Sequence, residues 1–404
     1  MTERPPRPAG LHPTVLVALL TMMTAISTAS NSQALPSLPS MGAEFGARPA
    51  ATQLIVSAFL LSFAVAQLVW GPIADRYGRR PTLIAGLVIY FAASLACWRA
   101  ETIEALIVFR VVQAVGACCP PVVSRAVVRD LYELKDAARV MAFMTASFSL
   151  APVLSPVVGA FLEEWFGWRA NFLFMLAWGG GLLAAVPLLL PETLPPRRTG
   201  ASLANAIMSY GPVIAHRRFI GYALSVALGF SMIAGFNSIG AFYLIDGLGL
   251  PPKMFAVYYG IPVALFGLSA YLAGRVTPAL GLDRTVVVGI LLCLAGGVLI
   301  AALAAFRVSG PWALSGPMIV MSIGHGFLFP NCQAGAIAPF PDRAGAASAL
   351  SGFFTMAVAA VTSAFIMRAY DGTYAPFAYY APGASAVLLA LFWLLVLKSR
   401  KPGG

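Results

Sequence analysis

Charge is scarce in this sequence. Only fifteen of 404 residues are acidic, and charged residues of both signs together make up 10%. With 59% hydrophobic residues and a mean hydropathy of +0.83, a water-soluble domain is excluded, because no single core could hide that much apolar surface. Histidine is scarcer still. His12, His216 and His325 are far apart and lack acidic neighbours, so a membrane enzyme built on a His/Asp pair or a metal finds no supporting motif. The five cysteines, Cys97, Cys118, Cys119, Cys293 and Cys332, fall inside apolar runs without metal-ligand spacing and read as reduced packing residues. Neither a metal nor a cofactor is expected.

What the sequence has in abundance is apolar runs of membrane-spanning length. A hydrocarbon layer ~30 Å thick needs about 20 apolar residues per helical span. Twelve such runs are predicted, at 13–38, 52–73, 81–98, 103–127, 139–162 and 168–190, then 218–244, 254–274, 284–306, 312–338, 344–367 and 375–397. The fold class that follows is an all-α integral membrane protein with twelve transmembrane helices. The longest polar interval divides the chain into an N-terminal bundle (1–190), a cytoplasmic linker (191–217) and a C-terminal bundle (218–404). Asn205–Tyr210 in that linker reads as a short amphipathic surface helix. No removed signal peptide is read ahead of the first span.

Basic residues crowd the segments that share a side with the N-terminus. The opposite side holds only Arg48, Arg99, Arg169, Lys253, Arg307 and Arg368, so both termini are expected in the cytoplasm of a cell whose inner membrane the chain crosses. The net charge of +11 is thus a topology signal, and no nucleic-acid partner is expected.

One loop concentrates charge. GPIADRYGRRP, Gly71 to Pro81, places Asp75, Arg76, Arg79 and Arg80 between spans two and three. Gly71 and Gly78 read as points of close backbone approach, and Pro81 suits the first turn of span three. Asp75 is expected to face a helix N-terminus and an arginine across the bundle, in a contact that forms in one conformation and breaks in another. A solvated loop that only fixes orientation is the alternative. A weaker repeat links the two halves: Gly116 to Pro120 in span four matches Gly326 to Pro330 in span ten, and GRVTPALGLDR from Gly274 looks like an eroded copy of the charged loop.

GPIADRYGRRP resembles the signature loop of the major facilitator superfamily. RVVQAVGA from Arg110 is similar to the fourth-helix motif of its drug:proton antiporter branch, and APVLSPVVGA from Ala151 to the fifth-helix motif of exporters. SRAVVRDLY from Ser124, LPETL at Leu190, and FPN followed by APFPDRAGAASAL to Leu350 narrow the resemblance to the Bcr/CflA-type multidrug efflux subfamily. The resemblance implies two six-helix bundles that rock about a central cavity, with proton entry driving export of a small amphipathic compound. On that reading Gly71, Asp75, Arg76, Gly78, Arg79 and Arg80 gate the cytoplasmic side. Arg110 and Gln113 supply a proton relay or cavity charge, and Pro152, Pro156 and Gly159 shape the fifth helix. A monomer is expected, with the lipid bilayer, a small-molecule substrate and protons as partners.

The chain departs from the subfamily at one point: Ser32 stands where an aspartate usually precedes LPxLP, and no acidic residue falls near the middle of a predicted span. An uncoupled or importing facilitator of the same fold is the rival reading. His325 is the one ionisable side chain near the middle of span ten and could carry a coupling proton, or be a neutral packing histidine. Thr21, Thr24, Thr28 and Asn31 share one face of span one and suit a wet cavity wall. Phe230, Phe236, Tyr258, Tyr259 and Phe329, with Asn237, Asn331 and Gln333 as polar handles, are further candidates for the substrate cavity.

Overall fold

In hydrocarbon, backbone N–H and C=O groups find partners only within a helix or a closed barrel. The computed structural model describes residues 13–194 and 208–398, and among these residues the chain is helical with no strand. The first half comprises α1 (Pro13–Ser32), α2 (Leu54–Tyr77), α3 (Arg79–Trp98), α4 (Ile103–Leu131), α5 (Leu134–Phe166) and α6 (Arg169–Leu189). The second comprises α7 (Arg217–Ala241), α8 (Pro252–Leu280), α9 (Leu282–Ala305), α10 (Pro311–Ile337), α11 (Ala344–Arg368) and α12 (Ala375–Phe392). Eleven of the twelve carry candidate membrane spans by length and apolarity, and α5 is 33 residues long.

The first span differs from its expected form. Instead of running to residue 38, α1 stops at Ser32 and the chain continues as a tight turn at Leu35–Ser37 and a short helix at Leu38–Glu44. Pro36 and Pro39 each fall in the first turn of a new segment, where a missing N–H costs least. Of the surface helix expected over Asn205–Tyr210, residues 205–207 lie outside those described, and the described helix is Tyr210–Ile214. Arg4, Arg7, His12, Arg197, Arg198, Arg400 and Lys401 also lie outside the described residues.

Within the first half α4 packs on α1, α2 and α3, and α6 on α3. Within the second, α10 packs on α7, α8 and α9, and α12 on α7 and α9. Small residues let the closest pairs meet. A Cβ on Gly86 of α3 would strike Cys119 of α4, and one on Gly116 of α4 would lie 2.7 Å from Gly86 O. In the second half the same role belongs to Gly289 and Gly324, whose added Cβ atoms would lie 2.7 and 2.6 Å from each other's carbonyl oxygens. The counterpart of Gly116 is therefore Gly324, two residues before the Gly326 suggested by the Gly-to-Pro spacing. Gly326 instead faces α8, at Ser269 and Ala270. Between the halves, α2 packs on α11 and α5 on α8.

Candidate functional site

The charged loop is a compact turn. Gly78, at φ +103°, ends α2 and starts α3 in a conformation that L side chains rarely adopt. A Cβ there would also sit 2.5 Å from Glu192 Oε2. The turn carries Arg79 inward, where it is 2% exposed; its Nη1 pairs with Asp75 Oδ1 at 2.6 Å and its Nε donates to Asp130 Oδ2 at 2.9 Å. Glu192, just beyond α6, accepts from the backbone N–H groups of Arg79 (2.9 Å) and Arg80 (3.2 Å), so its charge caps the N-terminus of α3. Arg80 Nη2 donates to Pro187 O at 2.6 Å, a carbonyl that Pro191 four residues later cannot serve. Arg76 is exposed and lies over the Tyr77 ring.

These contacts correct two expectations. Asp75 does not reach across the molecule in this conformation: its ion-pair partner is Arg79, four residues on, and its side chain is 47% exposed. Gly71 has open space where a Cβ would stand, so it permits no close approach here.

Arg110 is fully buried in the first bundle. Its Nη1 donates to Ser30 O (3.1 Å) and Gln113 Oε1 (2.6 Å), its Nε to Ile55 O (3.4 Å), and its guanidinium lies 4.2 Å from the Phe59 ring centroid. Gln113 Nε2 donates on to Ser94 Oγ at 2.7 Å, while Ser30 Oγ and Tyr90 OH are 2.7 Å apart. Among the described residues no carboxylate pairs with Arg110. A side chain that snorkels to an interface would be partly exposed, so that reading is excluded.

The fifth-helix residues divide. Pro156 and Gly159 are buried, while the side chain of Pro152 lies outside those described. Gly159 meets the backbone of Gln33, where any Cβ would overlap the Gln33 carbonyl. Its own carbonyl accepts from Asn171 Nδ2, which also donates to Ser37 Oγ, and Gln33 Nε2 donates to Asn171 Oδ1 at 3.1 Å. Ser32, in the position of the absent carboxylate, donates to Thr28 O at 3.0 Å.

On α1, Thr24 is buried and bonded to Leu20 O, and Thr28 and Asn31 are half-buried. They lie opposite Val15, Ala18, Leu19 and Met22, which with α6 line an apolar groove of about 350 Å³. The threonine face is thus turned away from that groove. His325 is 1% exposed and packs against Gly229 of α7, while its neighbours Gly324 and Gly326 face α9 and α8. Neither ring nitrogen has a hydrogen-bond partner within the limits of a good bond among the described residues.

The aromatic candidates separate by depth. Phe236 and Tyr259 are 1% and 2% exposed and stack on each other inside the second bundle at 5.9 Å, so in this conformation they are packing residues. Phe230 and Phe329 are half-buried and 6.3 Å apart, and Tyr258 meets Trp312 edge to face. Asn237 is buried. Asn331 accepts from Thr277 Oγ1 at 3.0 Å and Gln333 from Ser351 Oγ at 3.0 Å, so both join helices within the second bundle.

The halves also meet through polar contacts at the helix ends remote from the charged loop. Gln53 Nε2, ahead of α2, donates to Ser238 Oγ of α7 at 2.8 Å, with both residues buried. Lys253 at the start of α8 pairs with Glu164 at the end of α5 at 3.0 Å. Sequence reasoning missed the roles of these four residues, along with those of Asp130 and Glu192. It also missed a cluster in the second half, where Tyr222 donates to Asp283 and Arg218 lies 3.7 Å from the same carboxylate. The available signal for Glu192 was an acid on the same side of the membrane as a basic loop. Gln53 and Ser238 carried none, because neutral polar pairs leave no mark in composition.

A family model of the Major Facilitator Superfamily matches residues 17–363. Multidrug resistance protein D of Escherichia coli is 29% identical over 83% of this chain and 84% of its own length. The bicyclomycin resistance protein homolog of Haemophilus influenzae is 24% identical over 92% and 93%. The partially occluded inward-open structure of the xylose transporter XylE from E. coli superposes with a TM-score of 0.75, covering 96% of this chain and 99% of its own at 12% identity, a likeness of fold.

Proposed function

Since the chain belongs to the Major Facilitator Superfamily, and is therefore a multi-pass membrane transporter of small molecules and not an enzyme, we propose that it exports amphipathic compounds by alternating access of its two halves, coupled to protons. The halves are the bundles 1–190 and 218–404, joined by the linker 191–217. The relatives named for multidrug and bicyclomycin resistance support drug-like substrates. The chain lies in the inner membrane with both termini in the cytoplasm, on the strength of its basic-residue asymmetry, and works as a monomer.

One observation carries the mechanism. The outer ends are tied across the halves by Gln53–Ser238 and Lys253–Glu164, while the described ion pairs of the inner charged loop stay within the first half. This is the arrangement of a carrier closed outside. In the opposite conformation Asp75, already half-exposed, is free to meet the second half. The substrate wall is the Thr24–Thr28–Asn31 face of α1 with Phe230 and Phe329, which suits a weakly charged compound because no acid lies at that depth.

Coupling is assigned to His325, an intramembrane ionisable group that lies against the Gly229 backbone and has no charged partner among the described residues. The test is uptake into sealed inverted vesicles under an imposed pH gradient, with proton and drug movement recorded together. Wild type should concentrate drug, and His325→Gln should bind it without accumulating it. Accumulation by His325→Gln at wild-type levels would make the histidine structural. The second reading, an uncoupled facilitator, is favoured by Ser32 in place of the expected carboxylate, and it predicts that wild type only equilibrates drug under any gradient.

A further inference from the structure

Pro72 lies inside α2. Proline has no N–H, so the carbonyl four residues earlier, Leu68 O, loses its helical donor. An unsatisfied carbonyl at membrane depth is costly. Leu68 O is not left unsatisfied: Tyr210 OH donates to it at 2.8 Å.

Tyr210 opens the short helix Tyr210–Ile214, which packs on α11 and α7. One residue later the chain turns at Ala215, and His216 caps α7 by accepting from Phe219 N. The hydrogen bond therefore ties the entry of the second half to α2 of the first. Next to it, Gln67 presses on α11 so closely that a Cβ on Gly352 would overlap Gln67 Oε1. At this level α2 is held from two sides, by α11 and by the short helix.

We propose that Pro72 creates, and Tyr210 fills, a hydrogen-bonded strap that seats the 210–214 helix beside α2 and α11 and stabilises the outer-closed conformation. The proposal rests on the alternating-access reading. If α2 and α11 turn against each other to bring their inner ends together, Leu68 moves relative to a helix anchored on α11, and the bond breaks. The strap thus favours one end of the cycle with a neutral contact, independent of the charged loop.

The experiment places spin labels on Trp165→Cys and Phe306→Cys, at the exposed outer ends of α5 and α9, and measures their distance distribution in lipid. The five native cysteines are buried and stay unlabelled. Tyr210→Phe should raise the ratio of the long-distance to the short-distance population on the order of fivefold, the weight of one hydrogen bond. Pro72→Ala should act in the same direction, because the restored backbone N–H then serves Leu68 O and Tyr210 is displaced. The double variant should match Pro72→Ala alone, since the hydroxyl has nothing left to do. Two distances in wild type with an unchanged ratio in Tyr210→Phe overturn the strap and leave alternating access standing. Additive effects in the double variant overturn the role of Pro72. A single distance in every variant and at every pH overturns the strap together with the reading beneath it.

Discussion

Arg110 is the residue whose burial is hardest to justify by stability alone. A guanidinium surrounded by two carbonyls, an amide and an aromatic ring, with no carboxylate among the described residues, carries a desolvation cost that its partners only partly offset. The second half answers what the fold itself requires at this place. Taking Gly324 as the counterpart of Gly116 puts Met318 and Met321 where the first half has Arg110 and Gln113, and both methionines are buried. Arg110→Met should therefore leave the protein as stable as wild type or up to about 3 kcal/mol more stable, while transport is lost. Thermal unfolding in detergent beside vesicle uptake reads both quantities. A lower unfolding temperature with intact transport would make Arg110 a packing residue.

At the scale of the element, glycine decides how closely helices approach, and two glycines of similar appearance in the sequence should differ in what a substitution costs. A Cβ on Gly116 would meet the backbone N and Cα of Tyr90 on α3, which cannot swing away. Gly116→Ala should cost about 1–3 kcal/mol, seen as a lower unfolding temperature. At Gly71 nothing beyond its chain neighbours lies within 4 Å of an added Cβ, so Gly71→Ala should stay within about 1 kcal/mol of wild type, the lower chain entropy of alanine being offset by crowding against the Pro72 ring. Equal losses in both would show that the α3–α4 contact is looser than described. The two loops that open α3 and α9 are built alike, Gly78 at φ +103° and Gly281 at φ +81°, although their charges have been exchanged. The first loop buries Arg79 against Asp130, whereas the second buries Asp283 against Tyr222 with Arg218 alongside. The repeat that looked eroded in residue identity is intact in backbone conformation.

For the whole molecule, the proposed closure on the side remote from the charged loop rests on helix packing of α2 on α11 and α5 on α8 and, among the described residues, on two polar ties there, Gln53–Ser238 and Lys253–Glu164. Lys253 and Glu164 are 53% and 32% exposed, so their pair is screened and contributes at most several tenths of a kcal/mol. Reversing one charge adds repulsion where there was attraction. Lys253→Glu should open the outer side, read as faster labelling of introduced outer cysteines by a membrane-impermeant maleimide. The exchange Glu164→Lys with Lys253→Glu should restore the wild-type rate. The effect should fade in high salt; a rate that ignores both charge and salt would leave Gln53–Ser238 as the working contact.

The sequence by itself determined the order and approximate place of the spans, though not the break in the first at Ser32, together with the family and the position of the charged loop. Hydrocarbon imposes its length on every span, and a loop confined between two spans keeps its neighbours whatever the bundle does. It also located Arg110 and His325 at depth, because depth follows from counting residues along a helix. Direction does not. Which neighbour a residue meets depends on the rotation of its helix and on the helix beside it, and these are fixed only when twelve helices pack at once. Tertiary structure therefore decided that Arg79 turns to Asp130, that Glu192 from beyond α6 caps α3, and that Gly324 is the true partner of Gly116. Packing alone also decided that a carbonyl orphaned by Pro72 in one half is satisfied by Tyr210 at the entry to the other.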